Sequence, residues 1–287
     1  MTQFRLRRLI LAPAIALAAG LLAGCGSSSS DSSTSTTAAN CKAGQLQTHT
    51  TGQLTVATDK PAYPPYFEND DPTNGKGFES AVAYAIGDQL GFKPSQVHWV
   101  TEPFNSSYAP GPKSFDFDVN QISITPARQQ QVDFSAPYYT ANQAVVASKG
   151  SSAASATSLA ELKDATIGVQ IGTTSLDAVN SQIQPSSQPK VFNDSNDVVT
   201  ALKENQVDAV VVDLPTALYL TAAQVPTATI VGQFSAPGGD QWGALLDKGS
   251  PLTGCVSQAI ESLRSSGKLG QIQTRWMSQA AKAPVLH

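Results

Sequence analysis

Between residues 53 and 277 the chain alternates short β-rich runs with stretches whose apolar residues recur at helical spacing. Nothing else in the sequence limits the possible fold as much. Residues 53–57, 97–101, 117–124, 142–147, 166–170, 207–212, 229–233 and 242–246 read as strands. Residues 77–91 carry Phe78, Val82, Ile86 and Leu90 at steps of four, a helical face. Residues 197–202, 214–222, 252–265 and 269–277 also read as helices. Ser158 and Glu161 have the spacing of a capping box, and Pro126 suits the first turn of a short helix. Strands alternating with helices predict α/β layers around mostly parallel sheets. No repeat of fixed period runs through the region.

The start of the chain speaks to compartment. Arg5, Arg7 and Arg8 precede an apolar run over 9–23, interrupted by Pro13. At roughly 15 apolar residues the run is short for a membrane span, which needs about 20, and reads as a secretory signal. It ends in Leu22-Ala23-Gly24-Cys25, which resembles the lipobox of bacterial lipoproteins, where the cysteine is diacylated and the chain is cut before it. Residues 26–40 hold 10 Ser or Thr in 15 positions and almost nothing to bury. Such a segment is a flexible tether, with an average reach of about 20 Å. The expected picture is a soluble domain leashed just outside a membrane by a lipid on Cys25. Of the three cysteines, Cys41 and Cys255 remain in an oxidising compartment, and that even remainder favours one disulfide.

Charge narrows the partners. Without the three leader arginines the chain has 15 basic against 22 acidic groups, a net charge of −7. No cluster of Lys and Arg is available to neutralise phosphates, so nucleic acid is not an expected partner. Adhesion to an anionic membrane through surface charge is equally disfavoured. His49, His98 and His287 are too scattered to suggest a metal site. No nucleophile elbow, phosphate loop or His-Glu-x-x-His helix is present, so neither a cofactor nor a catalytic centre is expected. Asp116 and Asp118 share one face of a strand, but Phe115 and Phe117 alternate against them as in any half-buried strand.

A more specific pattern runs in order through the domain. It comprises Thr58-Asp59 with Tyr63-Pro64-Pro65, then Gly77-Phe78-Glu79, then residues 122–128 (Ile-Ser-Ile-Thr-Pro-Ala-Arg) and 132–139 (Val-Asp-Phe-Ser-Ala-Pro-Tyr-Tyr). Residues 167–174 (Ile-Gly-Val-Gln-Ile-Gly-Thr-Thr) and 207–213 (Val-Asp-Ala-Val-Val-Val-Asp) continue it. The series resembles bacterial extracellular solute-binding proteins of family 3, the amino-acid receptors of ABC importers, over about 53–276.

The resemblance implies a two-lobed α/β fold, the periplasmic-binding-protein-like type II fold, hinged on two crossings. Residues 1–24 would be the lipoprotein signal peptide and 25–50 the lipidated cysteine and tether. Lobe 1 would combine 51–144 with 238–287, and lobe 2 would be 145–237. The Cys41–Cys255 bridge would then lie on lobe 1. The protein would act as a monomer, its partners an amino-acid ligand and a membrane ABC permease. By resemblance, Arg128 and Thr174 hold the ligand's α-carboxylate and Asp213 its α-ammonium. A planar guanidinium suits a carboxylate, and the backbone N–H groups at Gly172 to Thr174 open a helix, a natural anion site. Ser123 adds a hydroxyl. Tyr63 and Phe104 match aromatic pocket-wall positions, and Asp59 a pocket position that could instead bond a loop amide. Gln170 could reach the ligand from the other lobe. Asn120 and Gln121 depart from the small residues usual there, and Gln121 is a candidate reader of a polar side chain. Tyr108-Ala-Pro-Gly-Pro112 departs as well and should break a helix. Relatives of this fold include dehydratases of cyclohexadienyl acids, but no extra His or Glu stands at the matched pocket positions. A module serving a sensor kinase is the remaining alternative.

Overall fold

The computed structural model describes residues 41–236, 238–277 and 283–287. The expected signal peptide, Cys25 and the Ser/Thr tract over 26–40 lie outside the described residues. Strands β1 (Leu54–Thr58), β2 (Val97–Thr101), β3 (Phe117–Asp118) and β4 (Asp133–Ala141) are laid down first. Strands β5 (Gln143–Ser148), β6 (Ile167–Gln170), β7 (Lys190–Phe192), β8 (Ala209–Asp213) and β9 (Ala228–Phe234) follow, and β10 (Asp240–Leu246) closes the series. They form two five-stranded sheets, ordered β2-β1-β3-β10-β4 and β7-β6-β8-β5-β9. The chain therefore passes between the sheets at Asn142 and again between β9 and β10.

Both sheets are mixed rather than mostly parallel. β1 runs parallel to β2 and β3, and β6 parallel to β7 and β8. β10 is antiparallel to β3 and β4, and β5 is antiparallel to β8 and β9. Parallel neighbours need a crossover of about a dozen residues or more. The four strands next to the crossings are joined directly, without such a unit.

The helices are α1 (Phe78–Gln89), α2 (Phe104–Ser107), α3 (Pro126–Gln129), α4 (Thr174–Ala178), α5 (Ser195–Lys203), α6 (Leu214–Tyr219), α7 (Thr253–Ser265) and α8 (Lys268–Met277). Against the first sheet, α1 and α7 pack a core containing Leu54, Phe78, Val82, Ile86, Trp242 and Val256. Strand β5 is buried on both faces. Val145 and Ala147 enter one core with Ile167 and Val211, while Ala144 and Val146 enter another with Val198 and Leu202, as period-two alternation requires. Cys41 and Cys255 are joined by a disulfide with Cα atoms 5.3 Å apart, pinning the start of the domain to α7.

Several expectations are corrected. The strand foreseen over 117–124 shrinks to β3, because the chain leaves the ladder and turns through Gln121 at φ 49°. β4 and β7 were not foreseen. Pro137 and Ser135 mask β4, and β7 has only three residues. Ser158 does not form the capping box; Glu161 instead accepts from the main-chain N–H of Thr157 at 2.9 Å and from its hydroxyl. Residues 283–287, expected with lobe 1, join the second sheet. Gln233 donates its N–H to Pro284 O, Leu286 donates back to Gln233 O, and Leu286 is buried in that sheet's core. Gly232 makes this docking possible, since a Cβ there would lie 2.6 Å from Leu286 Cγ and 2.8 Å from Pro284 O.

Candidate ligand-binding site

Between the two sheets lies a cavity of about 480 Å³. It is lined by nine of the ten residues proposed from sequence, namely Asp59, Tyr63, Phe104, Gln121, Ser123, Arg128, Gln170, Thr174 and Asp213. The tenth, Gly172, stands behind the wall and offers its carbonyl to Arg128.

Arg128 is placed by α3. Thr125 caps that helix by accepting from the Arg128 main-chain N–H, and Pro126 opens it. The side chain is only 7% exposed. Its guanidinium donates to Ser123 O at 2.7 Å on its own sheet and to Gly172 O at 2.9 Å across the cavity. It lies against an edge-to-face aromatic pair, 5.4 Å from the centre of Phe104 and 4.6 Å from that of Tyr108, whose own centres are 5.5 Å apart. These cation–π contacts replace part of the lost hydration. Burial lowers the Arg128 pKa from its ordinary value, with Tyr108, Asp240, Asp177 and Asp213 opposing the shift. Tyr108 also crowds residue 172, where a Cβ would push its hydroxyl aside, and the positive φ of 73° favours glycine there.

On the facing sheet, Thr173 caps α4 by accepting from Leu176 N–H, which puts Thr174 on its first turn. The Thr174 hydroxyl lies 3.3 Å from Ser123 Oγ and donates to Asp240 Oδ2 at 2.9 Å. Asp213 ends β8 immediately before α6, at the carboxyl edge of the sheet where ligands gather in α/β folds. Its carboxyl is pushed well above the usual range, chiefly by burial and then by the charge of Asp240. Gln143 supplies the link: its Nε2 donates to Asp213 Oδ1 at 2.7 Å and to Asp240 Oδ2 at 2.6 Å, and its Oε1 accepts from Ser175. Sequence reading missed both Gln143 and Asp240. The available signal was a polar or charged residue opening an otherwise apolar strand immediately after each crossing.

At the other end, Asp59 bonds loop amides, accepting from Lys60 N–H at 2.6 Å and Phe104 N–H at 3.1 Å. Burial nonetheless raises its pKa, with Asp194 across the cavity adding to the effect. The Tyr63 hydroxyl donates to Asn196, and Gln170 Oε1 accepts from Ser195 at 2.6 Å. Tyr66, buried at the cavity wall, bonds Thr216 at 2.7 Å. The Tyr63–Asn196 and Tyr66–Thr216 contacts join the two halves in a closed arrangement. Of the earlier carboxylate pair, Asp116 accepts from His49 and Thr55 N–H and braces the start of β1, while Asp118 is fully buried away from the cavity.

Two α/β lobes that close on a small cavity, with a cation on one wall and a carboxylate on the other, define a solute-capturing binding protein. The chain belongs to the bacterial extracellular solute-binding proteins, family 3, whose family model matches residues 54–279. It is 27% identical over 218 residues to the arginine-binding extracellular protein of Bacillus subtilis (strain 168), covering 74% of this chain and 82% of that protein. Among solved structures it resembles an ancestral arginine-binding protein bound to glutamine, with 32% identity and a TM-score of 0.66, over 80% of this chain and 99% of that one. It also resembles an ancestral amino acid-binding protein described as a precursor of cyclohexadienyl dehydratase, at 27% identity and TM-score 0.64, over 78% and 94% of the two chains.

Proposed function

We propose that the protein captures an amino acid with a polar side chain outside the cytoplasm and delivers it to an ABC permease, held at the membrane by a lipid on Cys25. One observation carries this reading. Arg128 on one lobe faces Thr174 and Asp213 on the other across a single closed cavity. An α-carboxylate would replace the Gly172 and Ser123 carbonyls on Arg128, and an α-ammonium would neutralise Asp213. Each charge is then paired only when the lobes are together, so ligand binding favours closure by differential affinity. The distal wall offers Asp59, Asp194, Tyr63 and Asn196, which suits a polar side chain and above all a cationic one.

Calorimetry with the common L-amino acids is the test. At least one should bind with a dissociation constant in the micromolar range, about −8 kcal/mol. Lack of heat with every one of them would overturn the reading. Conversion of prephenate or arogenate to an aromatic product would replace it with the enzymatic one. Cys25→Ser should release the protein from the membrane fraction of the cells that make it.

A further inference from the structure

Gln121 reaches the cavity from a left-handed turn, and both of its nitrogen donors are held by one residue behind the wall. Its main-chain N–H donates to Glu79 Oε1 at 2.7 Å, and its side-chain Nε2 donates to Glu79 Oε2. The Tyr138 hydroxyl also donates to Glu79 Oε1. Glu79 is the second residue of α1, is wholly buried, and does not line the cavity. With Nε2 turned back toward Glu79, the free end of the Gln121 amide is Oε1, which takes no hydrogen bond from any described residue.

The protonation of Glu79 decides which way round this amide sits. An ionised carboxylate only accepts, so it demands Nε2. A protonated carboxyl gains one O–H donor, and the same contact is then satisfied with Oε1 facing Glu79 and Nε2 facing the ligand. We propose that Glu79 is a positioning residue that sets side-chain specificity, making Gln121 present an acceptor while Glu79 is ionised and a donor once it is protonated. This rests on the amino-acid reading of the cavity. The groups facing Glu79 are Tyr138 on β4, Asp118 on β3, Tyr66 and Asp213. Asp118 is fully buried, with neither oxygen hydrogen-bonded among the described residues, and its proximity makes a second negative charge costly. Burial pushes Glu79 up to about 7 against its three donors, so the exchange falls in the neutral range.

The test begins with the intact, ligand-free protein, following the Glu79 carboxyl carbon and the Gln121 side-chain amide by NMR from pH 5 to 9. The two resonances should move with one midpoint. Calorimetry then compares lysine, whose side chain only donates, with methionine sulfoxide, whose side chain only accepts. The affinity ratio of lysine to methionine sulfoxide should fall at least tenfold between pH 8.5 and 5.5. In Glu79→Gln, whose amide can donate to Gln121 Oε1 at every pH, the ratio should stay at its acidic value. A Gln121 amide that ignores the Glu79 titration overturns the inference. So does a ratio that changes with pH equally in wild type and variant, since that change would come from other acids. If no amino acid binds, the reading of the site falls instead, and the NMR titration still decides whether Glu79 turns Gln121.

Discussion

Replacing Cys41 and Cys255 together by alanine removes a covalent link between residues 214 apart in sequence. The closed loop holds almost the whole domain, including all of the second sheet, because the bridge joins the segment before β1 to α7. Chain-entropy reasoning places the effect in the unfolded state, where the bridge forbids most separations of its two ends. For a loop of this length the lost entropy is about 18 cal/mol/K, or about 5 kcal/mol at 25 °C. That is a ceiling, since a real denatured chain is already compact. The expected loss is therefore between about 3 and 5 kcal/mol, a large part of a typical domain stability of about 5–15 kcal/mol. Alanine suits the site because Cys255 is buried among apolar side chains and needs no hydrogen bond. Guanidinium unfolding of both forms gives the difference directly, and the steepness of the transition should rise as the unfolded chain expands. A change below about 1 kcal/mol with unaltered steepness would refute the loop-closure argument for this bridge.

Three other outcomes are expected. Arg128→Ala should weaken amino-acid binding by about 2–5 kcal/mol, a loss from about 30-fold to several-thousand-fold measured by calorimetry, because it leaves the ligand carboxylate buried without its charge partner. Glu79→Gln should change how stability depends on pH. The native carboxyl is raised from 4.5 to about 7, so folded protein keeps a proton that unfolded protein has lost. The wild type therefore loses about 3 kcal/mol relative to the variant as urea unfolding is moved from pH 4 to pH 8, and a gap that ignores pH would contradict the assignment. Gly232→Ala should expel the C-terminal tail from the second sheet, speeding hydrogen exchange at the Leu286 and Gln233 amides by about tenfold or more while α1 and α7 are unaffected.

Elements with strong period and clean ends were readable from sequence. α1 follows its four-residue apolar spacing to within a residue or two, and β6 and β8 stand out as apolar runs leading into helices. What escaped was set by partners distant in sequence. β4 is irregular in composition yet forms a nine-residue strand because β10 pairs along it. The run over 117–124 is apolar enough to be a strand, but Glu79 captures the Gln121 amide and the ladder ends at Asp118. Residues 283–287 are too short to show any period, and they take their conformation from β9 and the gap left by Gly232.

The sequence by itself determined the alternation of strand and helix, the family motifs that carry Arg128 and Asp213, and the candidate cavity wall. Those properties are local, since they depend on periodicity, on caps and on which residue types can pair with a zwitterion. Tertiary structure alone decided that Gln143 and Asp240 tie Asp213 and Thr174, two residues of the candidate site, into one network, and that Glu79 stands behind Gln121. It also brought Gly172 against the Tyr108 hydroxyl. Their chemistry depends on burial and on charges from remote parts of the chain, and neither exists until both sheets have closed around the cavity.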